Sequence, residues 1–62
     1  MRLFIFGKEY EYDVKFTGDK RSEKRWIAFG KFGENELQSY GLTSEKAAQR
    51  LKEKAEIYLD QI

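Results

Sequence analysis

The strict alternation of apolar and polar positions between Tyr10 and Phe16 is the clearest pattern in this chain. Tyr10, Tyr12, Val14 and Phe16 fall on one side of an extended backbone, and Glu11, Asp13 and Lys15 fall on the other. That period of two predicts a half-buried strand of an antiparallel sheet. A shorter β-prone run, Arg2 to Phe6, precedes it, and Gly7-Lys8 supplies a turn between them, since glycine tolerates positive φ. Thr17 to Lys24 is polar and charged, contains Gly18 and reads as a mobile loop. Arg25 to Phe32 predicts a third strand of different character. Trp26, Ala28 and Phe32 share one face, Ile27 and Phe29 share the other, and both faces are apolar. Gly33-Glu34-Asn35-Glu36 has turn chemistry, and Leu37 to Tyr40 returns as a short strand ended by Gly41.

From Thr43 the period changes to that of a helix. Thr43 or Ser44 caps it, Glu45 sits in the first turn where the dipole favours negative charge, and nothing before Gln61 breaks it. Ala48, Leu51, Ala55, Tyr58, Leu59 and Ile62 form one apolar stripe with Ala47 at its margin, and this stripe faces the sheet. Away from it, Lys46, Arg50 and Lys54 recur every fourth residue beside Ile57, while Glu45, Glu53, Glu56 and Asp60 occupy the neighbouring flank. The pattern predicts one α+β domain over residues 1–62: a three- or four-stranded antiparallel sheet with one C-terminal helix packed on one face. The strands are expected near 2–6, 9–17, 25–32 and 36–41, and the helix near 44–61. A lone helix covers one sheet face, so the doubly apolar third strand leaves a surplus apolar surface on which a partner can act.

Composition narrows the function. The chain has neither Cys nor His, which excludes disulfides and Cys/His zinc sites and removes the commonest general base and nucleophile. Ser22, Ser39 and Ser44 have no candidate base nearby in sequence. The carboxylates Glu9, Glu11 and Asp13 could hold a cation or serve acid–base chemistry, but a flat strand face offers no pocket, and a solvated face is the plain reading. The chain is therefore read as non-enzymatic, without cofactor or metal. Absence of Cys fits a reducing compartment. The apolar run Leu3 to Phe6 is too short for a signal-peptide core or a membrane span. A soluble cytoplasmic protein with no membrane partner is expected.

The charged fraction is high, but 12 basic and 11 acidic residues leave a net charge of +1, so any electrostatic function rests on the distribution of charge. Two basic sets stand out. Lys20, Arg21, Lys24 and Arg25 lead directly into Trp26, with Lys31 further along the same strand; cations beside an aromatic ring suit phosphates and bases. A solvated loop and a core tryptophan are the alternative. The second set, Lys46, Arg50, Lys54 and Ile57, could meet a protein partner or a phosphate backbone, or form an ordinary solvated helix flank.

The segment from Lys24 to Ala55 resembles the three-stranded-sheet-plus-helix domains that bind DNA in the arm-binding domains of integrases and in the AP2 family. The resemblance is carried by Trp26-x-Ala28, the Gly33 turn, Ser39-Tyr40-Gly41, and Thr43-Ser44-Glu45-Lys46-Ala47-Ala48 opening the helix, with Tyr10 to Lys15 as first strand. It implies that the open sheet face enters the major groove, with Arg25, Trp26 and Lys31 matching the contact positions. The first strand carries Glu11 and Asp13 where that family is usually basic. Weaker is a similarity to HicB-like antitoxin domains, carried by Gly41-Leu42-Thr43-Ser44-Glu45, Ala47-Ala48 and Tyr58-Leu59; it implies a partner protein such as a small toxin. A DNA-binding module is thus the leading expectation, and a protein-interaction domain, antitoxin-like or inhibitory, is the alternative. A third reading, a designed domain with no natural ligand, fits the absence of Pro, Cys and His and the regular patterning. The oligomeric state is open at this stage.

Overall fold

The computed structural model describes residues 1–61 and is built from hairpins. Strands β1 (Arg2–Ile5), β2 (Lys8–Phe16), β3 (Trp26–Phe32) and β4 (Asn35–Gly41) precede one helix, α1 (Ser44–Asp60), with a short 3-10 turn at Ser22–Lys24. The strands form one antiparallel sheet in the order β1-β2-β3-β4. The fold is α+β with four strands, and α1 packs on one face. The expected boundaries hold to within one residue, and Ile62 of the expected helix stripe lies outside the described residues.

Two tight turns depart from the expected ones. The first loop is Phe6-Gly7, closed by the Ile5↔Lys8 pair, with φ of +50° at Phe6 and +80° at Gly7. Positive φ at both central residues is the type I′ geometry, which matches the twist of a hairpin. Lys8, expected in the turn, already belongs to β2. The second is Gly33-Glu34, closed by Phe32↔Asn35, so Asn35 and Glu36 are strand residues.

Register decides which side is buried. Tyr12↔Gly30, Val14↔Ala28 and Phe16↔Trp26 align across β2 and β3, and Ala28↔Ser39 and Trp26↔Gly41 continue onto β4. This is the face under α1. Ile5, Ala28, Phe32, Ala47, Leu51 and Ala55 form the buried core, with Leu3, Tyr10, Tyr12, Val14, Trp26, Leu37, Tyr58 and Leu59 packed around it. The Tyr10 and Phe32 rings lie 5.3 Å apart. α1 is capped at Thr43, whose Oγ1 accepts the Lys46 N–H at 3.1 Å, and its far end is tied to the second hairpin by Asn35 Nδ2 donating to Tyr58 Oη at 2.8 Å.

The centre of the helix stripe is displaced from its expected position. Ala47, placed at the margin from sequence, is fully buried, and Ala48 is half-buried. The reason is Gly41. A Cβ built there would collide with the Ala47 backbone nitrogen and meet the Lys46 carbonyl carbon at 2.8 Å. The first turn of α1 rests against the bare backbone of β4, and Ala47 is the residue turned inward at that contact.

Two stability predictions follow from these positions. Gly41→Ala forces backbone from backbone and should cost at least about 2 kcal/mol, lowering the melting temperature by about 10 °C or more; a melt within about 2 °C of the parent would refute the contact. Phe6→Asn removes a bulky residue from a left-handed conformation that asparagine tolerates. Phe6 is 65% exposed, so little burial is lost, and thermal denaturation should show a gain of about 1 kcal/mol.

Candidate nucleic-acid interface

The opposite face of the sheet carries no helix. Ile27, Phe29 and Lys31 of β3 lie there, flanked by Asp13 and Lys15 of β2 and by Glu36, Gln38 and Tyr40 of β4. The register sorts them into rows. The first is Lys15–Ile27–Tyr40 and the second Asp13–Phe29–Gln38. The third brings Lys31 opposite Glu36, with Glu11 one residue past the Tyr12↔Gly30 pair. On β1, Arg2 and Phe4 face Glu11 and Glu9, and Arg2 Nε reaches Glu9 Oε1 at 3.0 Å. The open face is therefore graded: basic and apolar at the end of the β2–β3 loop, acidic at the other.

That loop is pinned rather than bare. Thr17 Oγ1 donates toward the carbonyl oxygens of Lys24 and Arg25 and accepts the Asp19 N–H at 3.1 Å. Asp19 Oδ1 accepts the Arg21 backbone N–H at 2.9 Å, and its Oδ2 accepts from Arg21 Nη2 at 3.0 Å. Lys24 Nζ stands 5.0 Å from the centre of the Tyr40 ring, a cation–π placement that brings the end of the loop onto the open face. Arg25 is exposed and immediately precedes β3, and its carbonyl accepts the Thr17 N–H at 2.8 Å, so it stands at the same end of the sheet.

The structure divides the six residues expected to act together. Lys20, Arg21, Lys24 and Arg25 gather at one end. Lys31 is six residues beyond Arg25 along an extended chain, about 20 Å away, beside Glu36. Trp26 belongs to the other face: it is half-buried against the core and packs edge-on to Phe16 with ring centres 5.4 Å apart. The sequence missed Tyr40 as a neighbour of the loop, because its proximity is set by the pairing of β3 with β4.

The helix ridge is also divided. Arg50 Nη1 donates to the Tyr40 carbonyl at 3.2 Å and Lys54 Nζ to the Gln38 carbonyl at 3.0 Å. Both side chains lie along the outer edge of β4. Lys46 and Ile57 are exposed. On the acidic rows, a shallow depression of about 340 Å³ is bordered by Glu11, Asp13, Lys31 and Glu36, where the sequence predicts no pocket. Among the described residues, no group of three or more His, Cys, Asp or Glu is placed to hold a metal ion.

No family model, curated protein or solved structure gives a match to this chain. No helix among the described residues is long and apolar enough to cross a membrane.

The side-chain hydrogen bond from Arg21, reinforced by its backbone N–H, holds the Asp19 carboxyl below its ordinary value of 3.8. A lowered carboxyl keeps its contact above the unfolded value and loses it as pH falls through the lowered one. In an NMR titration, the Arg21 Nε–H resonance should therefore shift with a midpoint below 3.8, and Asp19→Asn should abolish the shift. A midpoint at or above 3.8 would show that the pair does not persist in solution.

Proposed function

We propose that this chain is a small, non-enzymatic, cytoplasmic nucleic-acid-binding module that contacts DNA with the basic end of its open sheet. The row Lys15–Ile27–Tyr40, with Lys24 over the tyrosine ring and Arg25 beside it, carries the reading. Cations there can neutralise phosphates, and the adjacent ring and aliphatic surface can receive bases. Lys20 and Arg21 extend the positive border.

The acidic end limits how DNA can lie. A duplex running along the whole face would bring phosphates against Glu9, Glu11, Asp13 and Glu36. A short single-stranded segment held at one end of the sheet avoids that repulsion, and it is the favoured substrate. Trp26 and Lys31 fall outside this contact.

Fluorescence anisotropy with labelled single-stranded and duplex oligonucleotides tests the reading. Single strands should bind at about 50 mM salt and weaken steeply toward about 200 mM. Lys24→Ala and Arg25→Ala should each weaken binding several-fold and flatten the salt slope by about 0.7. Lys31→Ala should change affinity less than about twofold, since it removes no phosphate contact. No binding at low salt, or an equal loss with Lys31→Ala, overturns the proposal.

One observation favours a protein partner as the second reading. Taken whole, the open face sets Arg2, Lys15 and Lys31 against Glu9, Glu11, Asp13 and Glu36 around exposed Phe4 and half-buried Phe29. A mixed-sign surface around aromatic residues suits a protein interface. The helix ridge supports it less, because Arg50 and Lys54 are spent on β4.

A further inference from the structure

The two edges of the sheet are treated differently, and the difference points to self-association. At the β4 edge, Arg50 and Lys54 reach over from α1 and donate to the outward carbonyls of Tyr40 and Gln38. Charged side chains laid along an edge block further strand pairing. No such cover is found at β1 among the described residues. Tyr12 N–H donates to the Met1 carbonyl at 2.9 Å, so the hydrogen-bonded pairs of this ladder are Met1–Tyr12, Leu3–Tyr10 and Ile5–Lys8. The N–H and C=O groups of Arg2 and Phe4 then point away from β2. α1 lies chiefly over β4 and β3, and its contact with β1 is slight. Phe4, beside the free groups, is 67% exposed.

We propose that β1 pairs antiparallel with β1 of a second copy about a two-fold axis at Leu3, joining two sheets into one of eight strands. This register sets Arg2 opposite Phe4 of the second copy, twice, so that all the outward groups of both residues are paired. It is also complementary in charge. Across the axis the open face reads Glu9–Phe4–Arg2–Glu11, the last two from the second copy, and no like charges meet. Each guanidinium gains an aromatic neighbour across the axis. Leu3 meets Leu3 on the helix side.

Because each chain offers one open edge and one blocked edge, growth stops at two copies. Two four-residue strands bury less than the roughly 1,000 Å² of a stable interface. The dimer is accordingly weak and concentration-dependent.

Sedimentation velocity and amide exchange from about 10 µM to about 1 mM, the range for small transient interfaces, decide the matter. The expected result is a monomer–dimer equilibrium in which the Arg2 and Phe4 amides gain protection with concentration. Phe4→Lys, at an exposed position, sets like charges opposite each other and should move the midpoint at least tenfold higher in concentration. Arg50→Ala with Lys54→Ala unblocks the second edge and should produce species larger than the dimer. A monomer throughout the range overturns the proposal, as does a dimer indifferent to Phe4→Lys. Parent protein that grows past two copies, or a double variant that does not, overturns the part assigned to Arg50 and Lys54.

Discussion

A seventeen-residue helix about 10 Å wide cannot shield both faces of a four-stranded sheet, or even the whole of one. Strands stand about 4.8 Å apart, so the width of α1 corresponds to roughly two of them. It sits on β3 and β4. The unpaired character of the rest of the molecule follows from that shortfall. Ile27, Phe29 and Tyr40 are left on an uncovered face, and β1 is left at a thinly covered margin. The position of the helix is set by Gly41, where the absence of a side chain lets Ala47 and the first helical turn rest on the backbone of β4.

The same placement accounts for the different fates of the charges. Arg50 and Lys54 are on the side of α1 that overhangs the last strand, so they act on backbone carbonyls rather than on solvent. The cations of the β2–β3 loop have no such partner strand above them. They turn to the open face, where Lys24 meets Tyr40, or to a local carboxylate, as Arg21 does with Asp19. Near-neutral net charge thus conceals a sheet surface with a basic end and an acidic end.

Much of this architecture can be read from residue order alone. The alternation from Tyr10 to Phe16 and the double-sided β3 declare their faces because side chains in a strand must alternate. The Thr43 cap and the Leu51–Ala55 stripe are equally local signals. What could not be read depends on distance across the sheet. Alternation separates Trp26 from Ile27 and Phe29, but which of the two faces α1 covers is settled only by packing, and it is the Trp26 face. Lys31 shares a face with Ile27 but lies beside Glu36, because β4 returns antiparallel. The role of Arg50 and Lys54 required knowing which way α1 crosses β4. The Phe6-Gly7 turn escaped notice because phenylalanine is a poor occupant of its left-handed position.

The meander order has a consequence for how the chain acquires its shape. Every strand pairs with its neighbour in sequence, and α1 docks chiefly on the two strands just before it. Such closure between sequence neighbours keeps the loop-closure cost of each pairing low. It also orders events during synthesis. The sheet can zip up as its hairpins emerge, but Tyr12, Val14, Trp26 and Phe32 remain wet until Ala47, Leu51 and Ala55 leave the ribosome. The helix α1 is the lid of a core whose floor has already been laid, and a nascent chain stalled before it would present that floor to solvent.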